Sequence, residues 1–383
     1  MSEDDRTGLA IDLSRRKRRG GRDSRHPADR NVLRHSIVEA RQVAAPYVTM
    51  ARIAMTRLAR DRLARTGALV LATLAFIGVF ADVLASDLPV ACRWRGVVYV
   101  LPNVTRPSAL RGDDCVQMQR DRGPGDWLLA PLVRYGPAQT GHDREALLAP
   151  LAQGHPLGTD ALGRDVFARV AHGARTALGV GLAASILLVA IGVVLGAFAG
   201  FFGGIVDALV SRAVEALTAI PTLLLVLVVG ALVSHPTTTT LEFTIALTRW
   251  PELARLVRGE VLIALGADYV MAARALGVPP PRVLWRHVLP NAIGPAIVGA
   301  TFAIAWVVLV EATVDFLRVG TPDTMASWGE TIGEARAYSH AWWLVAFPGS
   351  ALLATLVALY LVGEAARNAI DPRLRGDEGT KRG

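Results

Sequence analysis

Eight histidines, two cysteines and a scatter of carboxylates are the residues of this 383-residue chain that could do chemistry. Hydrolysis needs a nucleophile beside a base, or metal ligands at a fixed spacing. His155, His172, His235, His287 and His340 stand apart, with no HExxH or GxSxG pattern around them. A hydrolase is therefore the distant alternative. No GxxxxGK loop followed by Ser or Thr is present, so ATP hydrolysis, if needed, belongs to other chains. Cys92 and Cys115 share one polar stretch. A disulfide is open to them if that stretch lies outside the cytoplasm, and two free thiols is the other reading.

Two polar clusters remain. "GTDALGRD" sets Gly158, Thr159, Asp160, Gly163, Arg164 and Asp165 in one short segment. Gly-rich Asp turns commonly satisfy their own backbone, so this segment reads as a structural turn at the outer membrane face that stabilises the entry to the second span; contact with a substrate-binding protein or with substrate is the alternative. The second cluster is "AARALGVPPPRVLWRHVLPN", residues 272–291. Asp268 to Leu276 can form a short helix with a favourable acid at its start and alanines of high propensity. Gly277 suits its C-terminal cap, and Pro279, Pro280 and Pro281 forbid continuation. A second helix starts around Arg282. The alanines and the glycine make a surface that another protein can approach closely. Arg274, Arg282 and Arg286 can pair with its acids or with lipid phosphates. A solvated basic loop is the other reading.

The elements that must position these clusters are apolar. Hydrophobic residues are 52% of the chain and charged residues 19%. Six windows read as membrane spans: 67–84, 177–202, about 208–233, 237–259, 292–310 and 341–363. Pro221 predicts a kink in the third. Gly192, Gly196 and Gly200 recur every four residues in the second and predict a close helix contact. The fourth span is weakest, with Glu242, Arg249, Glu252, Arg255 and Arg258 in it, and suits a helix facing a bundle interior.

Sixteen of the 41 Lys and Arg residues lie in the first 66 positions, including "RRKRRGGR" at 15–22. Beside an apolar span this marks the cytoplasmic side, and six crossings return both termini there. No aromatic platform or DNA-binding motif accompanies the basic run, so nucleic acid is not expected as a partner. The chain divides into a basic tail (1–50), a juxtamembrane segment and first helix (51–85), a small extracytoplasmic insertion (86–154), five further helices (155–370) and a short tail (371–383). Within the insertion, "WRGVVYVLPNV" has the character of a short strand.

The segment 268–291 resembles the EAA loop of permease subunits of ABC importers. Ala272, Ala273, Gly277 and Leu289-Pro290 match at the right spacing; Met271 stands where the pattern has Glu, and His287 at a usually aliphatic position. "HPLGTDALGRDVFARVAHGART" (155–176), "RWPELARLVRGEVL" (249–262), "EATVDFLRVG" (311–320), "SWGETIGEARAY" (327–338) and "NAIDPRLRG" (368–376) resemble the C-type permeases of dipeptide and oligopeptide importers. So does "RLARDRLARTGALVLA" (57–72), while "DWLLAPLVRYGP" with "WRGVVYVLPNV" resembles the enlarged loop of the microcin C and oligopeptide subtype.

The resemblance implies an all-α polytopic membrane protein with the type I importer permease fold in the cytoplasmic membrane. It implies a non-enzymatic subunit that moves peptides by alternating access. The expected partners are a second permease, two cytoplasmic ATPases that hold ATP and Mg, and an extracytoplasmic binding protein. No cofactor or metal is expected on this chain. Residues 268–281 would be the coupling helix, with Asp268, Tyr269, Met271, Ala272, Ala273, Arg274, Gly277, Arg282, Leu289 and Pro290 at the ATPase contact. Transport of nickel or another small solute is the closer alternative.

Overall fold

The computed structural model describes residues 61–140, 147, 149–233, 237–318 and 325–370. The basic tail, the last thirteen residues and His235 lie outside them.

Asp61 caps the first long helix, α1 (Arg62–Val79), by accepting from the Leu63 amide at 2.8 Å. After the short α2 (Ala81–Leu84) the chain leaves the bundle for a small sheet. Strands β1 (Ala91–Trp94) and β2 (Val97–Val100) form an antiparallel hairpin, and β3 (Trp127–Leu129) pairs with the other edge of β1. The single strand expected from "WRGVVYVLPNV" is thus the hairpin's turn and second strand. Arg95 and Gly96, both at positive φ, make that turn, and the segment then passes into α3 (Pro102–Thr105). The sheet and α4 (Cys115–Arg120) enclose a core of Leu88, Cys92, Trp94, Leu110 and Met118.

The second span is longer than its apolar window. Helix α5 runs Val166–Phe202, starting eleven residues upstream of that window, because Asp165 caps it by accepting from the Ala168 amide at 2.7 Å. The third span is broken as Pro221 demands: α6 (Gly204–Thr218) and α7 (Thr222–Leu232) meet at 79°. Helix α8 spans Thr238–Leu265 behind a capping box of Thr237 and Thr240. A short α9 (Asp268–Ala275) and α10 (Pro280–Val283) lead through one wider, π-type turn at 284–288 into α11 (Leu289–Phe316). Helix α12 (Trp328–Glu334) and the last long helix, α13 (Trp343–Ile370), complete the described chain.

Four stretches are long and apolar enough to cross a membrane: α1, α5, residues 280–316 and α13; the bent pair α6–α7 makes a fifth. Helix α8 is too polar for that test, yet it lies at the heart of the bundle, with Ile245, Ala246, Ala254, Val257 and Val261 buried. Its contact with α5 is the glycine face. A Cβ on Gly192 would stand 2.9 Å from Leu253 Cβ, one on Gly196 would strike the Ala254 carbonyl, and one on Gly200 would stand 2.9 Å from the Arg258 carbonyl. Three bare positions in a row let the two backbones touch. Three of the charges of α8 are paired. Arg258 makes a two-pronged pair with Asp207 of α6, at 2.5 and 2.7 Å, and Arg249 pairs with Glu252.

Candidate functional site

The corner between α8 and α11 follows from its residues. Asp268 stands in the first turn of α9, where an acid offsets the helix dipole. Val270 and Ala273 face the bundle and are buried. Tyr269 is half-buried, and burial pushes its phenol above the ordinary tyrosine value. The helix ends at Gly277, whose φ of +76° closes the turn. The Gly277 amide donates to the Arg274 carbonyl at 3.0 Å, and the Val278 amide to the Ala273 carbonyl at 3.1 Å. This is the glycine cap in which two carbonyls of the last turn are satisfied. Pro279 then caps α10 and Pro280 opens it, where a missing amide hydrogen costs nothing.

The outward face carries Met271, Ala272, Ala275 and Leu276, with Met271 at 51% and Leu276 at 84% exposure. Ala273 is not part of it. Expected in the contact surface, Ala273 is turned inward because the 3.6-residue period puts it on the same face as Val270. The arginines also divide. Arg274 lies over the Phe201 ring, 5.4 Å from its centroid, whereas Arg282 and Arg286 face water. Leu289 is buried and Pro290 sits in the first turn of α11; the helical run starts at Pro280, two residues before Arg282. His287 is half-buried, and its carbonyl accepts from Asn291 Nδ2 at 2.7 Å. Leu276 is the residue that sequence reasoning missed, since its apolar side chain reads as helix-former until its face is known.

At the opposite end of α5, the "GTDALGRD" segment is a lock. Asp160 is fully buried, and its Oδ1 accepts from the Leu162 and Arg164 amides, both at 2.9 Å. Its Oδ2 accepts from Arg164 Nε at 2.6 Å. Gly158 and Gly163 supply positive φ on either side, and Thr159 bridges to Asp165. The Thr159 carbonyl accepts from Trp343 Nε1 at 2.9 Å. Arg164 continues to Glu330 and Glu334 of α12, at 3.1 and 2.5 Å. Burial pulls its guanidinium down, but Asp160, Glu330 and Glu334 outweigh it and hold it above the usual arginine value. Burial first, and then the Asp160 charge, raise the Glu334 carboxyl. Arg169, Thr331 and His155 join the lock: Arg169 Nε donates to Thr331 Oγ1 at 3.1 Å, and His155 Nδ1 meets Asp165 Oδ2 at 2.7 Å. The turn residues therefore reach α12 and α13.

Cys92 and Cys115 are both buried free thiols, so the disulfide reading is not the one this structure holds. Burial, against a lowering by Arg134 and a further rise from Asp114 and Cys92 itself, pushes Cys115 up to about 11.

A polytopic helical bundle that ends in an exposed, capped corner has the form of a membrane transport subunit. Residues 192–376 match the family model described as the inner membrane component of binding-protein-dependent transport systems. A putative peptide transport system permease protein of Brucella suis is 37% identical over 250 residues, covering 65% of this chain and 83% of the relative. The oligopeptide transport system permease OppC of Bacillus subtilis is 35% identical, covering 59% and 74%. The di/tripeptide transport system permease DppC of Pseudomonas aeruginosa is 36% identical, covering 65% and 84%. The chain belongs to this family: it is a membrane permease subunit of an ABC importer, a transport component and not an enzyme, and it works with partner subunits.

Proposed function

We propose that this chain forms one half of a peptide-translocating pathway in the cytoplasmic membrane, with α9 as the element that receives the ATPase stroke. The observation that carries this reading is the corner itself. It offers Met271, Ala272, Ala275 and Leu276 to an outside surface, while Val270 and Ala273 fix it to the bundle. Met271 and Leu276 with the two alanines make an apolar face on a polar corner, and such a face suits a protein contact. The names of the relatives support peptides as the cargo. A second permease completes the pathway, two ATPase subunits bind ATP and Mg, and a binding protein delivers peptide at the sheet-bearing end. Both termini then lie in the cytoplasm with α9, and the insertion lies outside.

ATP-driven closure of the ATPases moves α9, and the long helices follow as stiff bodies that exchange inward for outward access. Met271 replaces the acid of the family pattern, so docking at that position is apolar. Deleting the gene and measuring uptake of labelled tripeptides tests the reading. Loss of uptake, restored by the intact chain, is expected, and undiminished uptake would overturn it.

A further inference from the structure

A cavity of about 350 Å³ opens between α5, α8 and α11, a size within the range of small-ligand sites. Leu253, Leu256 and Phe302 give it apolar walls, and Arg249, Glu252 and Trp306 are its polar and aromatic features. Arg249 sits near the middle of the 28-residue α8, far from either end of the bundle. Its guanidinium carbon lies 3.8 Å from the centroid of the Trp306 ring. Its Nη1 donates to Glu252 Oε1, one turn on along the same helix. A guanidinium has five donors, and this bond engages one. Glu252 is half exposed, whereas Arg249 is largely covered. The cation is therefore covered by the ring, and its counter-ion is the member of the pair that reaches solvent.

Charges at this depth are rare, face a bundle interior or a cavity, and mark ligand or ion pathways. A fixed cation in apolar walls attracts an anion more strongly than it would in water. Every free peptide ends in a carboxylate that is ionised at neutral pH.

We infer that Arg249 is a transit subsite for the C-terminal carboxylate of the cargo, with Glu252 as an internal competitor that takes the guanidinium back and releases the peptide. The inference rests on the peptide-importer reading and adds to it the chemical group that the pathway recognises. Arg249 grips the carboxylate with its planar fork. Glu252 is three residues away, so it re-pairs without any movement of the backbone. Trp306 keeps the guanidinium in place through both states.

The test uses the whole transporter in nanodiscs without its binding protein, with labelled trialanine and its C-terminal amide as probes. Trialanine should bind about tenfold more tightly than the amide. Arg249→Gln should remove that preference, and Arg249→Lys should keep part of it. Glu252→Gln should shift trialanine the opposite way, to tighter binding, because the competitor is gone. A structural ion pair would give both variants the same sign. Equal binding of the two probes, or a weakening in Glu252→Gln, overturns the inference. Uptake of trialanine with the binding protein present is measured alongside. If peptide is taken up while the probes do not differ, the subsite alone falls; if no peptide is taken up, the peptide reading falls with it.

Discussion

Arg169 on the first turns of α5 donates through Nη2 to Glu330 Oε2 of α12 at 2.7 Å, and neither side chain reaches water freely. Removing one partner of a buried pair leaves an uncompensated charge, which costs about 3–5 kcal/mol. Arg169→Met should therefore lower the apparent melting temperature of the purified protein markedly. Arg169→Met combined with Glu330→Gln should cost less than the sum of the two single changes. Additive losses would show that the two residues do not act on each other.

The seam between α5 and α8 makes a sharper demand. A Cβ at Gly196 meets the Ala254 carbonyl, and backbone cannot yield as a side chain can. Gly196→Val should cost about 3 kcal/mol or more through overpacking. Gly179 lies on the same helix with nothing within 4 Å of its missing Cβ, so Gly179→Ala should be neutral or slightly stabilising. Thermal unfolding of the two variants side by side checks this, and equal losses would contradict it.

At the corner, docking and folding can be separated. Leu276 touches water over most of its surface, so Leu276→Asp should leave membrane insertion and thermal stability intact while uptake falls at least tenfold. Ala273→Leu acts inside the bundle and should lower stability as well as uptake. Met271→Glu restores the family acid and should leave uptake within about twofold, since single rim charges carry little energy. Uptake assays paired with membrane abundance distinguish these outcomes.

The cysteines give a pH dependence. Burial raises Cys115 to about 11, above its value in an unfolded chain. A raised thiol favours the fold below the unfolded value of about 8.5, and that contribution is lost as pH rises through 11. The melting temperature should fall across that window, and by less in Cys115→Ser. Alkylation of the native protein at pH 7.5 should be slow, and both thiols should label after unfolding without reductant. A requirement for reductant would mean that Cys92 and Cys115 are paired.

Much of the architecture is legible in the sequence because its signals are local. Asp165, Pro221 and Gly277 each act through one backbone geometry, and each appears where that geometry requires. Gly192, Gly196 and Gly200 announce a close contact, though not that α8 fills it. The rest depends on tertiary pairing. Nothing local distinguishes Glu330 and Glu334 from surface acids, since the buried arginines that hold them, Arg164 and Arg169, lie more than 150 residues away. Ala272 and Ala273 are alike as letters, and only the helix phase set by Val270 turns one outward and the other in. Likewise, Arg249 reads as an awkward charge in a weak span until Trp306 is found beneath it.

The helical run from Pro280 to Phe316 is 37 residues long, so it forms a lever of about 55 Å. Its short arm begins at the proline corner, and its far tip packs against α12. A swing of about 5° at the corner displaces that tip by about 5 Å, roughly one helical turn. The wider turn at 284–288 changes the pitch close to the corner, and Pro295 follows inside the helix, so the near half of such a lever is where it would flex.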